Sequence, residues 1–203
     1  SLKVNFIGKY DTHAQNLFSG IINYSLEGQF RVTYKDQTCN KDNDMVAGTI
    51  EIVPFEKGNY ENLSENGKAF YDELTNIVND GYSKIEINVD YARSDIATGN
   101  FNNGTIDMAD VMQFNKNLSD LGGTQGGKII HEIVEQYWKQ AQKESFDGSH
   151  AAAIQSENNV NLSVRRDKGE IQDYTGDGGR IMRNIISFKN RRVINVTKIE
   201  IKK

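Results

Sequence analysis

Apolar positions along the chain change period several times, and the changes divide it into elements. Residues 3–7, 30–34 and 49–54 are short β-branched or aromatic stretches set between Gly, Asn and Asp clusters, which predicts strands joined by loops. Residues 84–90 alternate polar and apolar, as a strand with one wet face does. Between these strands, Phe70, Leu74, Ile77 and Val78 recur at helical spacing, so residues 62–79 predict a helix that stops at Asp80-Gly81. The strongest helical pattern covers residues 128–143, where Ile129, Ile130, Ile133, Val134, Tyr137, Trp138 and Ala141 make one stripe. A shorter helix is predicted over residues 149–160, capped by Ser149, and strand character returns over 183–188 and 192–201. The rest reads as turn or loop: a turn-like stretch around His13, the Gly- and Asn-rich residues 94–105, a flexible glycine run from Gly122 to Gly127, and a turn at residues 175–179. Thr105 to Met108 predicts a short strand or turn, and the state of residues 107–118 is left open. Together these elements predict one α+β domain spanning residues 1–203, with a mixed or antiparallel sheet, a long helix and a shorter helix after it.

Composition narrows the chemistry. Cys39 is the single cysteine, so no internal disulfide and no cysteine-based zinc knuckle can form, and any metal must use His and carboxylates. No run approaches the roughly eighteen consecutive apolar residues of a spanning helix, and no membrane insertion is expected. The first residues are Ser1-Leu2-Lys3-Val4 rather than Met, which suggests a removed leader or tag; a secreted or delivered protein is expected, and a cytoplasmic one is equally compatible with the lone cysteine. The net charge of -4 is uneven: Arg180, Arg183, Lys189, Arg191, Arg192, Lys198, Lys202 and Lys203 crowd the C-terminal end against Glu200. Basic side chains on the solvent face of edge strands account for this, since a nucleic-acid site usually makes the whole domain basic.

Within the long helix stands His131-Glu132-Ile133-Val134-Glu135. Residues four apart lie one turn apart on one helix face, so His131 and Glu135 can offer a nitrogen and an oxygen to one metal ion. Glu132 projects about 100° round the helix, where a carboxylate can serve as general base to a metal-activated water. This is the His-Glu-x-x-His arrangement with Glu135 in the last position. His150 is the expected third ligand, because the loop over residues 144–148 lets the following helix fold back toward His131, and Glu157, two turns further, is the reserve ligand. His13 has no visible partner and no assigned role.

Three other patterns carry less. Residues 122–128 have phosphate-loop spacing up to Lys128, but Ile129 stands where a hydroxyl must hold magnesium. Asp107 and Asp110 lack the offsets of a calcium loop and fit a capping role better. No serine or cysteine nucleophile has a neighbouring base.

The stretch from Lys128 to Arg166, with His131-Glu132 on a helix, a loop, then Ala152, Ile154, Glu157-Asn158 and Arg165, resembles the zincin-like metallopeptidase toxin domains that bacterial secretion systems deliver and that rearrangement-hot-spot proteins carry at their ends. The likeness covers about a fifth of the chain by the motif criterion. It implies a zincin-like fold, a Zn2+ ion, hydrolysis of a protein or peptide substrate with Glu132 as general base, and an immunity-type protein as possible partner. Glu135 stands where that family has His, so the resemblance implies either a site of His131, Glu135 and His150 or one that has lost catalysis. Two rivals stand beside it. One is a secreted binding module in which His131, Glu132 and Glu135 form a hydrated helix face; the other is a nuclease with His131 or His150 as base and the basic C-terminal strands on phosphates.

Overall fold

A computed structural model describes residues 1–165, 171–189 and 191–202 of the chain. Arg166 and Lys203, quoted above for the resemblance and the basic end, lie outside these residues. The fold is α+β. Its larger sheet is mixed and has the order β2-β3-β1-β4-β6-β5, built from β1 (Leu2–Phe6), β2 (Phe30–Cys39), β3 (Met45–Pro54), β4 (Ile85–Asp90), β5 (Gly99–Asn100) and β6 (Thr105–Asp107). β1, β4 and β6 run parallel, while β3 against β1, β2 against β3 and β5 against β6 are antiparallel.

Leu2, Val4 and Phe6 of β1 alternate with more exposed residues, as do Ile85, Ile87 and Val89 of β4. One face of the sheet is therefore apolar, and the helices cover it: α1 (Asp11–Ser25), α2 (Glu65–Val78) and α4 (Gln125–Gln140). Phe18, Ile22, Phe70, Leu74, Ile129, Ile130 and Ile133 join the strand residues in one core. Each of these buried side chains contributes roughly 1.5–3 kcal/mol relative to an exposed one. A one-turn helix, α3 (Met108–Val111), follows β6, and α5 (Phe146–Asn161) packs along α4.

The C-terminal strands form a second sheet: β7 (Val164–Arg165), β8 (Ile171–Thr175), β9 (Ile181–Lys189) and β10 (Arg192–Lys202). β9 is its middle strand, pairing with β7 and β8 on one side and β10 on the other. Residues 175–179 turn the chain between β8 and β9, as expected.

Several expectations need correction. The stretch around His13 is not a turn but part of α1, whose buried Ala14, Phe18, Ile21 and Ile22 have helical spacing. The glycine run is not slack: Thr124 caps α4 by accepting the Gly127 N–H at 3.0 Å, and Gly126 and Gly127 are buried inside the helix. A Cβ at Gly126 would sit 2.6 Å from both Leu118 Cδ2 and Ser25 Oγ, so the glycine serves close packing. The cap of α5 is Ser145, accepting the Gly148 N–H at 3.3 Å, and Ser149 lies inside the helix. Thr105–Asp107, expected as a short strand or turn, is a strand, with β5 on its outer side. Asp107 caps α3 through the Ala109 N–H, in line with its capping role. Among the described residues, no helix is long and apolar enough to cross a membrane.

Candidate metal centre

Twelve consecutive residues of α4, from Gln125 to Gln136, are buried. The apolar side of the helix faces the sheet, and its polar side, with Lys128, His131, Glu132 and Glu135, is covered as well. Such burial contradicts a hydrated helix face: taking an ion out of water costs several kcal/mol unless it is partnered. Lys128, His131 and Glu135 have oppositely charged neighbours within 4 Å.

His131 Nε2 lies 3.6 Å from Glu135 Oε2, and His150 Nδ1 lies 3.0 Å from the same oxygen. Bond lengths of about 2.0–2.2 Å in a tetrahedral zinc site place ligand atoms about 3.3 Å apart, a value that these two separations bracket. The ligand atoms of His131, Glu135 and His150 all fall within 4.8 Å of one another, and the group could hold a metal ion. The expected trio is thus brought together: His131 and Glu135 from one face of α4, His150 from the first turns of α5. The Ser145 cap starts α5 early enough to put His150 over His131, with ring centroids 5.0 Å apart.

Glu157, the reserve ligand, occupies a different place. Its Oε2 lies 3.6 Å from His131 Nδ1, on the far side of the ring from Glu135, and its Oε1 accepts from Lys128 Nζ in a fully buried ion pair. A carboxylate behind a ligating imidazole fixes which ring nitrogen faces the ion. Lys128 carries no sequence signal for this part, because only the packing of α5 on α4 brings a residue one turn before His131 against one two turns after His150.

The electrostatics follow from the packing. Desolvation pushes the buried Glu132 carboxyl up to about 7, with the positive charge of His131 opposing and Glu135 reinforcing the shift. For His131 itself, burial disfavours the charged ring, but the carboxylates of Glu135 and Glu157 outweigh it and raise its pKa above the ordinary imidazole value. Glu135 is also desolvated, yet its bonds to His131 and His150 hold it down at about 2.

The centre opens into a cavity of about 180 Å³, lined among others by Gly99, Phe101, Glu132, Phe146 and Arg183. A larger hollow of about 480 Å³ between Tyr24, Asn66 and Leu118 contains none of the predicted site residues. Phe146 stacks on His150, and Phe101 meets Phe146 edge-on. Gly99 of β5 is where the sheet meets Glu132: any Cβ there would overlap the carboxylate. The preceding Thr98 has a φ of +64°, a strained conformation for a β-branched residue costing about 1–3 kcal/mol. Asp110 Oδ2 accepts its N–H at 2.9 Å, and its carbonyl accepts the Asp107 N–H at 2.8 Å, which hold it there. Neither Thr98 nor Gly99 carries a sequence signal for this role. His13 stands apart, packed edge-on against Tyr91.

Comparison with protein-family models, with curated proteins and with solved structures gives no match to this chain.

Proposed function

We propose that the chain is a zinc-dependent metallopeptidase of zincin-like type, using His131, Glu135 and His150 as ligands and Glu132 as general base. The observation that carries this reading is the convergence of those three ligand atoms within 4.8 Å at a cavity that Glu132 also lines. Two imidazoles and one carboxylate are a ligand set of catalytic zinc sites, which keep a fourth position open. When bound, zinc supplies a Lewis acid that polarises the scissile carbonyl and acidifies water.

The protein's own groups do the rest. Glu132, held against Gly99, takes a proton from the attacking water and returns it to the leaving amine as the carbon–nitrogen bond breaks. Its pKa near 7 in the metal-free protein suits a group that must accept and release a proton in one cycle. Glu157 stands 3.6 Å behind His131 Nδ1, where it can orient the ring, and Lys128 pairs with its other oxygen. The substrate would enter the cavity that Ala97, Thr98 and Gly99 border. The resemblance to delivered toxin domains extends the proposal to a bacterial effector with an immunity-type partner.

The test is digestion of a defined peptide mixture by zinc-loaded protein, with products identified by mass. Cleavage by the wild type that is lost in Glu132→Gln, with zinc still bound, is the expected result. Zinc-loaded protein that cleaves nothing, or a Glu132→Gln variant that cleaves as well as the wild type, contradicts it.

A further inference from the structure

Arg183 is the cavity-lining residue that the proposed chemistry leaves unused. It sits on β9, the middle strand of the second sheet, and Ile185, two residues on and hence on the same face, lines the cavity beside it. Asp173 lies directly opposite on β8 and accepts from Arg183 Nε at 2.7 Å and from Nη2 at 3.0 Å. This fork locks the guanidinium plane, and among the described residues Nη1 makes no further bond. The cation is also the more covered partner, with its side chain 25% exposed against 45% for Asp173, so the pair leans inward.

The charges around the cavity are largely paired, so the geometry of the open guanidinium edge is what carries the assignment. The cavity wall already carries Lys128, which Glu157 neutralises, and Glu135, which the metal would neutralise in part. Asp173 balances the charge of Arg183, and the edge of the guanidinium that Asp173 leaves open keeps donors beside the cavity for an anion that enters with the ligand. The cavity volume of about 180 Å³ corresponds to roughly six waters, which is space for one short residue.

From this arrangement we infer that Arg183 forms an anion subsite beside the metal centre, and that the preferred substrates carry a carboxylate within one residue of the scissile bond. A preorganised planar fork is suited to a carboxylate, and its free edge supplies the donors. The subsite rests on the metal reading above. Two sources offer the same chemistry: a free C-terminus, or the side chain of an acidic residue.

The test uses zinc-loaded protein and three small hydroxamates, with affinities measured by titration calorimetry at fixed ionic strength. Acetohydroxamate probes the metal alone, succinate monohydroxamate adds a carboxylate, and its methyl ester removes the charge at nearly the same size. The acid is expected to bind about tenfold or more tighter than the ester, the scale of a hydrogen bond between charged groups. In Arg183→Met this preference should vanish while acetohydroxamate affinity stays constant. Equal affinity of acid and ester for the wild type, or a preference that survives Arg183→Met, overturns the subsite but leaves the metal centre intact. Failure to take up zinc or to bind any hydroxamate overturns both. If Arg183→Met does not fold, Asp173→Asn decides, because freeing the fork must strengthen the preference, and an unchanged preference overturns the assignment. Hydroxamates ending in glycine with a free carboxylate, or in aspartate with an amidated end, then distinguish the source by which one retains the Arg183-dependent gain.

Discussion

Helices α2 and α4 have the same plan in sequence. Both carry an apolar stripe, and both start on a hydroxyl cap, Ser64 or Thr124, that accepts the N–H of a glycine three residues on. They differ in what covers the polar side. Glu65, Asp72 and Asn76 of α2 are exposed to water, as the polar face of an ordinary amphipathic helix is. Lys128, His131, Glu132 and Glu135 of α4 are buried beneath α5 and the wall of the cavity. A hydrated face can carry charge at little cost, whereas a buried one requires each charge to have a partner. The density of partners along α4 therefore distinguishes a built site from a solvated stripe of the same composition.

The largest expected effect separates the two helices by activity. Removing the carboxylate of Glu132 should lower the proposed peptide hydrolysis by about 10²–10⁴-fold, the usual contribution of a general base. Asp72→Asn on α2 should change nothing, and steady-state rates on a cleaved peptide measure both.

Stability gives the next contrast. Lys128→Ala breaks a fully buried ion pair with Glu157, which should cost about 3–5 kcal/mol in denaturant unfolding. Lys68→Ala breaks the exposed pair with Glu61 and should cost no more than about 1 kcal/mol. Equal costs at the two sites would break the comparison.

A smaller effect is expected at Glu157→Gln. It keeps the shape but weakens the hold on His131, so zinc affinity should fall about 10–100-fold in a competition titration. Unchanged affinity would show that the 3.6 Å contact does not orient the ring.

The mildest test is pH. His131 binds its proton more tightly in the folded metal-free protein than in the unfolded chain, so its contribution is complete below the ordinary imidazole value of about 6.5 and is lost as pH rises through the raised value. Glu132, moved from 4.5 to about 7, adds the same sign over that interval, since its folded form also holds the proton longer. Metal-free stability should therefore decline from about pH 5 upward on account of this cluster. Zinc affinity should move the opposite way, rising with pH as the proton leaves His131. Parallel pH slopes for the two quantities would contradict the assignment of His131 as a ligand.

Much of this could be read from the sequence, and the failures have physical causes. The α4 stripe and the pair His131 and Glu135 are local in sequence, so helical geometry alone brings them together. His150 required one further step, a helix folding back after a short turn. α1 was missed although Ala14, Phe18, Ile21 and Ile22 repeat at helical spacing, because Tyr10 offers no side-chain cap and His13, Asn16, Gly20 and Asn23 dilute the pattern. Glycines at 126 and 127 suggest slack, but their meaning is the close approach of Leu118, Ser25 and Asn161, which is long-range packing. Gly99, Thr98, Lys128 and Arg183 reach the site from a sheet edge, an outlying turn, a neighbouring helical turn and a second sheet. No local period marks those meetings.

The most direct test of the metal centre is elemental analysis of purified protein after dialysis against zinc and then against chelator-free buffer. We expect about one zinc per chain in the wild type, as a three-ligand site holds, the same in Glu132→Gln, and none in His131→Ala or His150→Ala. A wild type that retains no zinc, or histidine variants that retain as much as the wild type, would contradict the assignment of His131, Glu135 and His150 as a metal centre.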